Sequence, residues 1–180
     1  MASYEIIEAY NTKGMGLKRP ILKHIAHKRG IPHSTIHIWI RTKEGIILQQ
    51  RSKNKDTHPL FWDVSVAGHI DYNEAPKIAA QREAKEELGI DIQIDELIEL
   101  GTFYEVHYHP KSCIMDREFK TVYYYNYHGS IKGLNLQKEE VEAIQTVELN
   151  DLIKSIKSNV PYKMVNHKRE YFELVISQLT

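Results

Sequence analysis

Residues 35–40, Thr-Ile-His-Ile-Trp-Ile, alternate with period two, the signature of a strand with two different faces. They end at Lys43-Glu44-Gly45, and Ile46–Gln50 follows at once, which predicts a β-hairpin. Residues 61–67 form another short apolar run, entered after Pro59. From Ala75 to Leu88 the residues are strong helix formers. Pro76 fits only the first turn and Gly89 supplies a stop, so one helix is predicted there. Strands are predicted over 97–107, 121–127 and 143–149, and amphipathic helices over 151–157 and 168–179. Residues 1–34 read as an irregular N-terminal arm with a basic segment at Leu17–Arg29, a solvated face. Strands around one interior helix, closed by helices, predict an α+β sandwich in a single domain spanning 1–180.

Lys plus Arg and Asp plus Glu both total 24, so formal net charge is zero and no basic excess argues for a nucleic-acid partner. With 42% hydrophobic and 27% charged residues the chain has the composition of a globular protein. No apolar stretch reaches the roughly 20 residues of a membrane span, and Met1 to Glu5 lacks a signal layout, so the expectation is cytoplasmic. Cys113 stands alone, which excludes an internal disulfide and leaves the reading of a small buried hydrophobe. Tyr123-Tyr124-Tyr125 is expected to alternate between core and surface, and His107, Tyr108 and His109 could overhang a cleft.

Chemistry concentrates on the predicted helix. Glu83, Glu86 and Glu87 share one face, beside the apolar stripe Ala80, Ala84 and Leu88. Like charges at this spacing repel, and they lie at the helix end that disfavours negative charge. A hard divalent cation would remove both penalties. The alternative is a solvated acidic face partly neutralised by Arg82 and Lys85.

The surrounding residues decide between them. Gly68, Glu74, then Arg82-Glu83-Ala84-Lys85-Glu86-Glu87-Leu88-Gly89-Ile90 fill every defining position of the Nudix box over 68–90, with Ala84 the smallest residue its aliphatic site tolerates. The chain therefore resembles the Nudix superfamily, which implies an α/β/α sandwich with a mixed sheet and hydrolysis of a diphosphate. The resemblance implies that Glu83, Glu86, Glu87 and the Gly68 carbonyl hold Mg²⁺ or Mn²⁺ and that Arg82 orients the glutamates. Glu83 is the first choice of general base, and Glu74 has a structural role. The implied partner is a small-molecule diphosphate, and a homodimer is common in such a family.

A second resemblance extends upstream. His33 to Trp39, Gln50-Arg51-Ser52, Lys55, Trp62 and Ser65-Val66-Ala67-Gly68-His69 are similar to the isopentenyl-diphosphate isomerase branch. There the residue before the glycine is a catalytic cysteine; here it is Ala67, which has no proton to give. Both Trp39 and Trp62 precede the box, and position 83 is the hydrolase-type glutamate. An isomerase-like enzyme is thus the alternative, beside a non-catalytic metabolite-binding module. The same resemblance implies a second, transition-metal site of His27, His33, His69, Asp116 and Glu118, with imidazole and carboxylate donors suited to Mn²⁺, Zn²⁺ or Fe²⁺. It also implies diphosphate contacts from Arg51, Lys55 and His69.

Overall fold

The computed structural model describes residues 4–179; Met1 to Ser3, where a signal segment would begin, and Thr180 lie outside the described residues. In chain order come β1 (Ile6–Tyr10), β2 (Gly16–Leu22), α1 (Lys23–Arg29), β3 (His33–Thr42), β4 (Gly45–Arg51), β5 (Trp62–Asp63), β6 (Val66–His69) and α2 (Pro76–Leu88). A 3₁₀ turn at Ile94–Glu96 leads to β7 (Ile98–His109), β8 (Ile114–Asn126), β9 (Val141–Val147), α3 (Leu149–Ser158) and α4 (Arg169–Leu179).

The main sheet follows the path β5-β4-β3-β8-β7, with β6 added on β3 and β9 on β4. β3 and β8 run parallel, and the other pairs are antiparallel, so the sheet is mixed. β3 is buried on both faces because helices cover both. Ile36, Ile38 and Ile40 pack with Ala80, Ala84 and Leu88 of α2. Trp39, Val122 and Tyr124 pack with Leu152 of α3 and Tyr171, Phe172 and Val175 of α4. This is an α/β/α sandwich, and α2 lies on one face of the main sheet rather than between two sheets.

One departure from regular pairing positions everything polar. β3 and β4 pair only at their hairpin end, Arg41 with Ile46 and Thr42 with Gly45. Farther along, β3 takes β6 as its neighbour, Thr35 opposite His69 through Ile38 opposite Val66. β4 instead takes β5, Gln49 opposite Asp63. The two strands part, and the expected single strand over 61–67 is divided between them.

α2 begins after Ala75 with Pro76 in its first turn, where the missing N–H costs nothing. It ends at Gly89, φ 72°, a left-handed residue. There the Gly89 and Ile90 N–H groups donate to the carbonyls of Lys85 and Ala84. Small Ala80 and Ala84 let the helix lie close to the sheet.

Several expectations are corrected. The N-terminal arm is an ordered antiparallel hairpin, β1 with β2, followed by α1, with Ile7 and Ala9 buried. β8 starts well before residue 121, because its first half pairs with β7 and β3. Tyr123, Tyr124 and Tyr125 are all buried, alternating between two cores instead of between core and solvent. Cys113 is free and exposed in the β7–β8 turn, in a left-handed conformation. Among the described residues no helix is long and apolar enough to cross a membrane.

Leu88 is fully buried between α2 and the sheet. Leu88→Ala should lower stability by about 2–5 kcal/mol, read as a lower midpoint in urea denaturation with an unchanged slope.

Candidate active site

The three glutamates of α2 sit at graded depth: Glu86 exposed, Glu83 half-buried, Glu87 buried. Glu87 Oε2 accepts from Gln49 Nε2 on β4 and from the Ala67 N–H on β6, each at 3.3 Å. One carboxylate thus bridges β4 and β6, the strand that replaces β4 beside β3. Glu83 lies against Gly68 so closely that a Cβ on Gly68 would overlap its carboxyl group. The glycine is needed for space, not for backbone conformation.

Arg82 organises the acidic side. Its Nε and Nη2 donate to Glu74 at 2.9 and 2.8 Å, a two-pronged pair. Nη1 donates to Glu83 at 2.8 Å and Glu86 at 3.3 Å, and Nη2 reaches the His69 carbonyl at 2.9 Å. Burial pushes the Glu83 carboxyl up to about 7, with Arg82 pulling the other way. Burial and the charge of Glu83 push Glu87 well above the usual carboxylate range. Desolvated, converging carboxylate oxygens of this kind suit a hard divalent cation, so the residues fit the metal that the box implies.

Beside this group lies a second cluster. His27 of α1, His33 of β3, His69 of β6 and Glu118 of β8 each offer a donor atom, all within 4.8 Å of one another. His33 Nδ1–H donates to the Ile31 carbonyl at 2.9 Å, which leaves its Nε2 lone pair free. That Nε2 makes no hydrogen bond among the described residues and stands 3.8 Å from Glu118 Oε1. His27 Nε2 and His69 Nε2 face each other at 3.0 Å. Burial, reinforced by His33, lowers His27 to about 4, and burial with Lys23 lowers His69 well below the usual imidazole value. Neutral imidazoles are what a transition metal binds. Asp116 stands behind this group, 3.1 Å from His27 Nδ1 and 2.9 Å from His109 Nε2.

The three glutamates and, from the second cluster, His27, His69 and Glu118 line one cleft of about 720 Å³, together with Arg51 and Lys55. Neither cation is free. Arg51 donates to the Thr57 carbonyl at 3.1 Å and lies 3.4 Å from Asp63, and Lys55 pairs with Glu140. His107 and His109 also reach the cleft, whereas Tyr108 points to solvent.

Sequence reasoning missed the buried polar floor. His167, just before α4, sets Nδ1 3.1 Å from Glu105 and Nε2 3.3 Å from Asp63. Lys120 donates to Glu105 at 2.8 Å and lies 3.3 Å from Glu118. His37, Trp39 and Tyr171 complete it. One signal was available: period two puts His33, Thr35, His37 and Trp39 on the same face of β3. Nothing local in the sequence announces that His167 joins them.

Burial opposes ionisation of Asp63 and Glu105, yet His167 with Arg51 at Asp63, and His107, His167 and Lys120 at Glu105, hold both well below the carboxylate range. The unfolded chain therefore binds more protons at these two groups. Their contribution to stability is complete above roughly pH 4–4.5 and is lost as pH falls through and below that range. Urea midpoints measured from pH 7 to pH 3 should fall accordingly. Lys120→Met, which strands buried carboxylates, should cost about 3–5 kcal/mol at pH 7.

Comparison with known proteins bears on the family and the fold. The family model of the NUDIX domain matches residues 31–174. The chain is similar to an uncharacterized Nudix hydrolase of Clostridium acetobutylicum, 34% identical over 160 residues, covering 87% of this chain and 76% of that one. An isopentenyl-diphosphate Delta-isomerase of Cereibacter sphaeroides is 33% identical over a stretch of 75 residues, 42% of each chain. In a crystal structure of a Deinococcus radiodurans protein the same fold recurs with TM-score 0.68, over 97% of this chain and 99% of that one, at 19% identity.

Proposed function

The chain belongs to the NUDIX domain family and is an enzyme of the Nudix hydrolase class, and from that premise we propose that it cleaves a diphosphate linkage in a nucleoside-diphosphate or other organic diphosphate with Mg²⁺ or Mn²⁺ held by Glu83, Glu86, Glu87 and the Gly68 carbonyl. The reading treats the chain as one domain. It is carried by Glu87, a carboxylate buried in the cleft and tied to both sides of the strand split. A divalent cation there supplies charge neutralisation and Lewis acidity to the diphosphate.

The remaining work falls to the chain. Arg82 keeps Glu83 and Glu86 pointed at one place and spares Glu83 the full repulsion of its neighbours. Glu83, held by Arg82 beside Gly68, is placed to accept the proton of an attacking water. Arg51 and Lys55 bind the diphosphate by exchanging Asp63 and Glu140 for phosphate oxygens. The isomerase alternative lacks its proton donor, since the methyl group of Ala67 cannot protonate carbon. The similarity to the Cereibacter sphaeroides isomerase covers 42% of the chain, against 87% for the Clostridium acetobutylicum Nudix hydrolase. Glu87→Gln should lower phosphate release from the wild-type substrate by at least about 100-fold with Mg²⁺ present, while leaving the circular-dichroism spectrum unchanged. Full activity in that variant would remove the reading.

A second proposal concerns the imidazoles. We propose that His27, His33, His69 and Glu118 hold a transition metal, with Asp116 orienting His27 and His69 also facing the substrate. The free Nε2 of His33 supports it. Protein purified without added metal should carry about one equivalent of Mn, Zn or Fe by elemental analysis. His69→Ala should lose that metal and retain Mg²⁺ binding measured by calorimetry. Metal-free wild-type protein would leave these histidines as polar wall.

A further inference from the structure

His37 lines the cleft from β3 and is used by neither proposed metal site. Its side chain is 5% exposed, and its hydrogen bonds can be assigned by elimination. Nδ1 lies 2.9 Å from the Tyr171 hydroxyl, which also lies 2.9 Å from Trp39 Nε1. An indole N–H only donates, so the Tyr171 oxygen is the acceptor of that bond. Tyr171 is fully buried, and among the described residues its hydroxyl makes just these two bonds. The hydroxyl proton therefore goes to His37 Nδ1, which must be bare. Burial, with Lys120 and His167 adding to it, lowers the His37 imidazolium to about 3, so the ring is neutral and its one proton sits on Nε2. No hydrogen bond from Nε2 to a described residue occupies that proton.

We propose that His37 is a specificity-determining residue whose Nε2–H, fixed by Trp39 and Tyr171 as positioning residues, donates to an acceptor atom on the organic group beyond the diphosphate. The substrates so favoured carry a hydroxylated or heterocyclic group, as a sugar or nucleoside does, and not a hydrocarbon chain. Register and the cleft place the donor: His37 lies opposite Ala67, the residue before Gly68, and all three line the same cleft. The floor around it is equally polar, formed by Lys120, His167 and Asp63. A prenyl chain seated there would strip water from the Nε2–H and return no acceptor, a disadvantage of about 10- to 100-fold.

The substrate half of this inference rests on the hydrolase reading, whereas the tautomer does not, and the experiment separates them. In ¹⁵N-histidine-labelled protein at neutral pH, His37 should show a pyrrole-type Nε2 and a pyridine-type Nδ1. Tyr171→Phe should erase that preference. A proton on Nδ1 in the wild type overturns the inference. With Mg²⁺ present, kcat/KM for ADP-ribose, UDP-glucose and CDP should exceed that for isopentenyl and geranyl diphosphate. His37→Phe should reduce the ratio between the classes by about 10- to 100-fold, mainly through KM, and His37→Gln, which keeps a donor, should preserve it. An unmoved ratio in His37→Phe overturns the inference. If none of these diphosphates is hydrolysed, the hydrolase reading fails by itself. The His37 Nε2–H resonance must then still shift with ADP-ribose and not with isopentenyl diphosphate, and the opposite result overturns the inference.

Discussion

A carboxylate placed in a buried sheet is the constraint on which the rest of this structure turns. Glu87 sits where β3 and β4 have parted, bonded to Gln49 on one side and to the Ala67 N–H on the other. Desolvating an ionisable group is expensive, and here a second carboxylate, Glu83, stands beside it. The site therefore persists only because something else holds α2 against the sheet. Ala80, Ala84 and Leu88 do this, bringing the helix backbone close enough for a glutamate side chain to reach the gap. Gly68 leaves room for Glu83, and Arg82 fixes the exposed side by bridging Glu74, Glu83 and Glu86. Apolar packing on one edge of the helix thus stabilises the electrostatic strain on the other.

The parts of the molecule that were legible in the sequence are those where local pattern and tertiary role agree. α2 is bounded by Pro76 and Gly89, residues whose backbone preferences act locally, and its limits were read to within a residue. The hairpin of β3 and β4 announced itself by alternation and by Gly45 at the turn. Where partners come from far along the chain, local pattern was silent. β2 contains Pro20 and Gly16, which depress any strand signal, yet pairing with β1 stabilises it. The tyrosine run looked one-sided because a single sequence does not reveal that both faces of β8 are covered. Of the site, the helical carboxylates could be read from spacing, while Lys120, Glu105 and His167 meet only after the sheet has formed and α4 has docked.

The cleft has two chemically different walls. On the α2 side the donors are carboxylate oxygens; on the side of α1, β6 and β8 they are chiefly imidazole nitrogens. Hard cations prefer the first set and first-row transition metals the second, so the donor types would sort two ions within a single cleft. Burial reinforces the distinction. The same desolvation that raises Glu83 and Glu87 lowers His27 and His69. Each wall is thereby pushed towards neutrality unless a cation or an anion arrives to reverse it.

β3 joins these environments, because alternate side chains of one strand visit them in succession. His33 faces the imidazole cluster, Thr35 and His37 line the cleft, and Trp39 lies in the core under α4. The step from Trp39 to His37 is the informative one. A core residue whose only polar atom is a donor sets the direction of the Tyr171 hydroxyl, and that hydroxyl sets which nitrogen of His37 carries its proton. Packing of α4 against the sheet, an apolar event remote from the glutamates, in this way determines whether the floor of the cleft offers a donor or an acceptor. The same strand that carries Ala67 as its neighbour thus places a fixed N–H beside the position from which the isomerase-like enzymes would deliver a proton to carbon. Being held by Tyr171, this imidazole is suited to donate a hydrogen bond and, neutral as burial keeps it, a poor acid. Recognition, not protonation, is the chemistry that arrangement favours.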